Sequence, residues 1–540
     1  MGIVAHVDAG KTSLTERLLF AAGVVDRVGR VDDGNTRTDS MELERKRGIT
    51  IRSAVVAFRL GDLPVNLIDT PGHSDFIAEV ERALSVLDGA VLVISAVEGV
   101  QPQTRLLMRT LDRLRIPALL FVNKVDRVGA RYDDLLADIR RLLTPAAVPM
   151  QTVPDLGTRA AAVELLPVHR PELGELLAER NDDFLERYLQ GPVDQAAELG
   201  RQVARAEAHP VYFGSAMTGV GITELIDGIR TWLPRATGSP ADELRARVFK
   251  VERVAAGQKL ASARILSGSL TARTPVAVQP VDGPEYQTRP SGIEVYADGA
   301  RQPVDRVEAG QIVALRGLKE IRIGDQLGVR TSYTQRLFAP PTLETVVSAR
   351  DRVRLFQALT QLAEQDPLIR VRKADEIGEV TVSLYGEVQK EVIASLLESE
   401  YGLDVTFSET TPIHVERLNG TGAAMREITE GPWAAGVGFR VSPVAEGIEY
   451  NLEVELGALP RAFHTAIEET VRQTLHQGLY GWEIPNIRID LTHTAYWSPV
   501  TVAADFRRLV PLVLMQAIAD AGTTVLEPLN HFELDVPPDT

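Results

Sequence analysis

Ala5-His-Val-Asp-Ala-Gly-Lys-Thr12 leads out of a short apolar strand and into an amphipathic segment, Ser13 to Ala21. At a strand-to-helix turn of this kind, backbone N–H groups and the helix N-terminus cradle phosphate. Asp8, Ala9 and Gly10 then line the phosphates, Lys11 reaches the β and γ positions, and the Thr12 hydroxyl ligates Mg²⁺. The first position of the motif is Ala5, where Gly is usual.

Three further loops stand at the ends of apolar runs. Asp69-Thr-Pro-Gly-His73 follows Val65 to Ile68, so Asp69 lies at the carboxyl end of a strand, where α/β sheets bind ligands. Asp69 is expected to hold Mg²⁺ through water, and the Gly72 amide to meet the γ phosphate. Asn123-Lys-Val-Asp126 ends the strand Leu119 to Val122. The Asp126 carboxylate accepts hydrogen bonds from guanine N1–H and the exocyclic amine. Adenine has no such pair, and the unpaired acceptor costs roughly 1 to 3 kcal/mol. Asn123 is expected at the other base edge, Lys124 over the ring, and a backbone N–H of Ser215-Ala216 on guanine O6.

The remaining composition narrows the class. A chain of 540 residues exceeds one hydrophobic core and implies roughly three to five domains. Hydrophobic residues at 44% and charged residues at 24% are those of a globular protein. No apolar run approaches the roughly 18 residues needed to cross a bilayer, and the start carries no leader pattern, so a cytoplasmic protein without a membrane partner is expected. Zero cysteines exclude disulfides and thiolate metal sites. A net charge of −16 opposes nonspecific coating of nucleic acid, DNA included, while leaving room for local docking on RNA.

The fold expected is multidomain, α/β and α+β. Residues 1–236 alternate apolar runs with amphipathic segments and read as a P-loop domain on a largely parallel sheet. The stretch 145–200 reads as an insertion in it. Residues 240–332 show short alternating strands with Gly punctuation and read as a small β-barrel. Residues 340–411 read as an α+β sandwich of ferredoxin-like type, and 412–526 as an elongated α+β domain with strands at Ile448 to Leu456 and Asn486 to Thr492 and helices at Arg461 to His476 and Ala503 to Ala521. Residues 527–540, with His531-Phe-Glu-Leu-Asp-Val536, read as the stub of a fifth domain.

With four nucleotide loops in this order, the chain resembles the translational GTPases, and Arg47-Gly-Ile-Thr50 looks like their first switch. The resemblance implies GTP/GDP as nucleotide, Thr50 as a further Mg²⁺ ligand, and His73 as the residue that orients the attacking water. Val7 and Ile49 match the apolar gate beside that histidine. It also implies slow hydrolysis until ribosomal RNA draws His73 into place, and a monomer off the ribosome. The domain succession, with Glu364-Gln-Asp-Pro367 and Gly386-Glu-Val-Gln-Lys390, is similar to elongation factor G.

The nearer resemblance is to the tetracycline-resistance ribosomal protection proteins, carried by Gln477-Gly-Leu-Tyr-Gly-Trp482, Trp497-Ser-Pro-Val-Thr501 and Ala504-Asp-Phe-Arg507. It implies that a fourth-domain tip made of Tyr496, Trp497, Ser498, Pro499, Val500 and Thr501 enters the decoding site and evicts the drug. Pro499 stiffens this loop and Val500 adds an apolar wedge. Tyr480 and Trp482 support it, and Arg507 and Arg508 face RNA phosphate. Two alternatives stand beside this reading: a translocating factor of elongation factor G type, and a truncated, noncatalytic GTP-binding module.

Overall fold

The structure, a computed structural model, describes residues 1–29, 44, 50–254, 258–281, 283–297, 300–331, 340–373, 379–430, 432–455, 457 and 459–529. Ile49 of the expected gate, most of the expected first switch and the stub around His531 to Val536 lie outside them. The chain forms two compact units, Met1–Pro341 with Val346–Ser408, and Thr342–Thr345 with Glu409–Thr540.

The first unit opens with a seven-stranded sheet in the order Ala54–Leu60, Leu63–Asp69, Gly2–Ala5, Ala90–Ser95, Ala118–Asn123, His209–Phe213, Ala147–Pro149. All neighbours run parallel except the first pair. Ala90–Ser95 and Ala118–Asn123 are buried along their whole length, because helices cover both faces of the sheet. Alternate side chains therefore feed separate cores, with Val93 and Phe121 in one and Leu92 and Val122 in the other. Gly2–Ala5 lies between two strands whose connections leave in opposite directions, and such a reversal opens a crevice at the carboxyl ends. The register brings those ends level, with Ile3 beside Asp69, Ser95 beside Asn123 and Val122 beside Phe213.

The stretch expected as an insertion is partly integral. Ala147–Pro149 forms the sheet's last strand, beside His209–Phe213. Three residues ending in Pro are too short to show a strand period, which is why the sequence alone hides it. The helices that follow, Pro171–Ala178, Asp182–Gln190 and Gln195–Ala204, add Leu177, Phe184 and Leu199 to the core on the phosphate-helix face.

Residues 245–328 contain an eight-stranded antiparallel sheet around its own core, including Val248, Ile265 and Leu315. From Leu343 the order is strand, helix Arg352–Gln365, strands Val371–Lys373 and Val380–Leu384, helix Glu387–Tyr401, strand Val405–Phe407. Its sheet runs second, third, first, fourth, the ferredoxin-like arrangement expected.

The second unit holds a four-stranded sheet ordered Gly422–Arg426, Ala435–Pro443, Ile487–Tyr496, Ile448–Leu452. Its core joins Phe439, Ile489 and Leu491 to Val471 of the helix Arg461–Thr474 and to Phe506, Leu514 and Ile518 of the helix Ala503–Ala521. Two strand limits differ from expectation. The edge strand stops at Leu452, and the strand expected to end at Thr492 continues to Tyr496. The continuation follows from its partner, since Thr494 and Tyr496 pair with Val437 and Ala435 past a bulge at Gly438. Among the described residues, no helix is long and apolar enough to cross a membrane.

Candidate functional site

The four sequence loops meet at the carboxyl edge of the first sheet, around a cleft of about 620 Å³. Val7, Asp8, Gly10, Lys11, Thr12, Thr50, Gly72, His73, Asn123, Lys124, Asp126, Ser215 and Ala216 all line it. Ala9 does not; it is buried beneath, turning its carbonyl to Asn123. The helix Lys11–Ala21 starts at Gly10, whose φ of 92° is left-handed. A Cβ there would also stand 2.2 Å from Asn123 Nδ2, so two independent constraints demand glycine. Asp8 and Lys124 have φ of 65° and 70°, strained values that aim both loops at the cleft.

At the phosphate end, Lys11 Nζ lies 2.5 Å from Asp69 Oδ1 and donates to Thr50 Oγ1 at 2.9 Å. Thr12 Oγ1 is 3.5 Å from Thr50 Oγ1. One carboxylate and one hydroxyl thus meet the Lys11 charge, with the Thr12 hydroxyl beside Thr50, and an all-oxygen set of this kind suits a hard divalent cation. Lys11 and Asp69 are both buried, so removing either leaves an uncompensated charge, at a cost of about 3 to 5 kcal/mol. A Cβ on Gly72 would make ordinary contact with the Ala5 carbonyl at 3.4 Å, so packing alone does not require this glycine.

At the base end the polar groups brace one another. Asn123 lines the cleft and also ties its loops together. Its Nδ2 donates to the Ala9 carbonyl at 2.9 Å and its Oδ1 accepts from Ala216 N at 2.9 Å, so it ties the phosphate loop to the 215–217 turn. The amides of Ser215 and Ala216 are likewise engaged, the first with the Val220 carbonyl at 2.9 Å and the second with Asn123, so neither is held out to guanine O6. Lys124 Nζ pairs with Glu98 at 2.9 Å, and Asp126 stands on the cleft wall.

Several contributors carry no local signature in the sequence. Arg17, from the phosphate helix, donates to the carbonyls of Ala216, at 2.8 Å, and Met217, clamping the base loop. Ser95 Oγ accepts from the amides of Val97 and Glu98, setting the loop that offers Glu98 to Lys124. Buried His6 shares a hydrogen bond with Thr104 Oγ1 at 3.0 Å, and desolvation lowers its pKa, which keeps it neutral. His73 is partly buried at the cleft edge. Its Nδ1 accepts from Asp75 N at 3.1 Å, so in the neutral ring the proton sits on Nε2.

In the second unit the expected tip is exposed and apolar: Trp497 is 50% and Val500 62% accessible, with Ser498 and Pro499 also exposed. Thr501 corrects the reading. It is 7% accessible, and its hydroxyl accepts from Trp497 N at 2.8 Å and donates to the Ala434 carbonyl, which closes the loop from inside. Tyr496 ends the strand and meets Phe463 edge-on at 5.8 Å. Tyr480 is exposed, whereas Trp482 is partly buried against His414, 4.9 Å between ring centres. Arg508 is exposed, and Arg507 is paired with Glu469 at 2.8 Å.

A phosphate turn, a carboxylate at the base loop and four successive domains define a GTPase of the elongation-factor class. Family models agree domain by domain: "Elongation factor Tu GTP binding domain" matches residues 1–235, "Elongation factor G domain 2" 243–330, "Elongation Factor G, domain III" 338–409 and "Elongation factor G, domain IV" 423–522. A solved structure from Thermus thermophilus has the same fold, with a TM-score of 0.66 at 24% identity over 97% of this chain and 85% of that one. The oxytetracycline resistance protein of Streptomyces rimosus is 51% identical over 99% of this chain and 85% of its own length. The tetracycline resistance protein TetM of Streptomyces lividans is 47% identical (100% and 87%), and TetP of Clostridium perfringens 41% (99% and 84%). The chain belongs to the tetracycline-resistance ribosomal protection proteins, and it is a guanine-nucleotide-binding GTPase.

Proposed function

We propose that the chain binds the ribosome in its GTP form, through rRNA of both subunits and ribosomal proteins, dislodges tetracycline from the small-subunit decoding site, and leaves on hydrolysis. The nucleotide half of this reading rests on the convergence of four loops on one cleft. Lys11, Gly10 and the amides of the Asp8–Gly10 turn hold the phosphates. Thr12 and Thr50, with Asp69 through water, would hold Mg²⁺, which supplies positive charge at the β and γ phosphates when bound. Asp126 reads guanine. Because the amides of Ser215 and Ala216 are otherwise engaged, we assign guanine O6 to the next amide of that turn, Met217, which also lines the cleft. His73, with Nε2 carrying the proton, orients the attacking water, and Val7, which shares the cleft wall with it, screens that water from bulk solvent.

The drug-directed half rests on one observation, the exposed apolar loop Trp497 to Val500 stapled from within by Thr501. A loop held rigid before binding loses little entropy on entering a site, so its apolar surface is available for contact with an RNA base. The decisive experiment measures GTP hydrolysis with and without ribosomes, and release of labelled tetracycline from ribosomes. Hydrolysis should be slow alone and rise on ribosomes. Replacing Ser498, Pro499 and Val500 by glycine, while keeping Thr501, should preserve stimulated hydrolysis and abolish drug release. Undiminished release by that variant would reject the wedge. Tetracycline-independent translocation activity would favour the elongation-factor reading.

A further inference from the structure

We propose that Asp75 is a positioning residue that makes the orientation of His73 depend on the ferredoxin-like domain, by capping that domain's helix Glu387–Tyr401 from outside. This inference rests on the role given to His73 above.

The helix Glu387–Tyr401 begins at Gly386 and has no side-chain cap of its own. Its first amides need acceptors, and its positive end favours an anion. Asp75 provides both. It sits on the short turn Ser74–Phe76, two residues past His73, and is 8% accessible. Its Oδ2 accepts from the amides of Val388 at 3.0 Å and Gln389 at 3.3 Å. In a helix of ordinary design the acceptor is the residue just before the first turn; here it comes from another domain.

Gly386 shows that the fit is specific. Its φ and ψ are both 179°, extended values open to any residue, so its backbone does not call for glycine. A Cβ at that position would stand 2.4 Å from Asp75 Oδ2 and 2.5 Å from Cγ and Oδ1. The glycine makes room for the carboxylate.

The same carboxylate faces the histidine. Asp75 Oδ1 is 3.3 Å from His73 Nδ1, while the Asp75 amide donates to that nitrogen. The amide fixes the ring with its proton on Nε2, and the carboxylate lies against the same edge of the ring. One side chain therefore caps the helix with one oxygen while its own backbone and other oxygen border the imidazole. A second tie keeps the domains from sliding. Arg82, on the helix Ile77–Leu84 that follows the turn, bonds Asp366 at 2.9 Å and Glu79 at 2.5 Å, and Glu79 accepts from Ser53 N at 3.2 Å, just past Thr50. Gln389 Nε2 closes the circuit on Asp366 at 3.4 Å.

The test uses the full chain with ribosomes and compares Gly386→Ala, Asp75→Ala, Asp75→Asn and His73→Ala, following single-turnover GTP hydrolysis across pH, GDP affinity and the ribosome concentration for half-maximal rate. Gly386→Ala alters the ferredoxin-like domain alone, yet should lower the stimulated rate at least tenfold, as should Asp75→Ala, with GDP affinity and ribosome dependence unchanged. Asp75→Asn retains an oxygen for the helix, so it should recover most of the rate. Wild-type rates in Gly386→Ala and Asp75→Ala beside an inactive His73→Ala would overturn the inference and leave the role of His73 standing. Equal losses in rate, GDP affinity and ribosome dependence would reduce Asp75 to structural support and overturn it as well. A fully active His73→Ala would instead overturn the role of His73, and the inference with it.

Discussion

Asp126 and Asn123 show how two neighbours of one motif divide the work. Asp126 stands on the cleft wall, while the Asn123 amide donates one N–H to Ala9 and accepts from Ala216. In the proposed reading, base choice falls on Asp126. Replacing it by Asn exchanges one acceptor for a donor, which opposes the guanine amine and suits the 2-carbonyl of xanthine. Asp126→Asn should weaken GDP binding by tenfold or more and favour the xanthine nucleotide over GDP, as read by competitive nucleotide titration. Asn123→Ala, by contrast, should weaken every purine nucleotide alike, because it loosens the loops rather than the base contact.

Elements are held in place by buried acids whose partners lie far along the chain. Glu416, on the strand Val415–Leu418, is 1% accessible and accepts from the amides of Leu479 at 2.9 Å, Tyr480 at 2.7 Å and Trp482 at 3.2 Å, and from Thr523 Oγ1 at 2.8 Å. A Cβ on Gly478 would stand 2.5 Å from its carboxylate, so this glycine too makes room for an acid. The turn carrying exposed Tyr480 is thus built on one carboxylate. Glu416→Ala leaves the buried Thr523 hydroxyl without this acceptor, at about 1 to 3 kcal/mol, and frees three partly buried amides that water can reach. Faster hydrogen exchange at the amides of 479–482, with an unchanged GTPase domain, is the expected result.

Across the first unit, the two motifs by which the chain resembles elongation factor G turn out to be seams. Glu364 of Glu364-Gln-Asp-Pro367 pairs with Arg253 at 2.5 Å and Lys259 at 3.1 Å in the barrel, and Asp366 pairs with Arg82 in the GTPase domain. One buried histidine of the first sheet gives the unit's stability a pH-dependent component. Burial depresses the pKa of His209 from 6.5 to about 4, with its ring at the Ala118 carbonyl. Between those values the unfolded chain binds a proton that the folded one refuses, so stability is complete above about 6.5 and falls as pH drops toward 4. Asp112, 3.5 Å away, is shifted the opposite way by desolvation, from 3.8 up to about 6, but its side chain is 42% accessible and solvent screens its contribution. His209→Gln should therefore flatten the loss of urea stability between pH 7 and pH 5.

What could be read without coordinates was local. Asp8 to Thr12, Asp69 to His73, Asn123 to Asp126 and Ser215-Ala216 are contiguous runs at the ends of apolar strands, and the fixed polarity of a parallel sheet delivers such ends to one edge. Alternation of apolar runs with amphipathic stretches likewise settled the domain classes. The tertiary structure decided which polar atoms remain available after folding. Asn123 is taken up by two other loops, Thr501 faces inward, Ala147–Pro149 becomes a strand only because His209–Phe213 lies beside it, and Asp75 caps a helix 313 residues away. Hydrogen bonds between distant groups depend on strand order and domain docking, and neither leaves a period or a spacing in the chain.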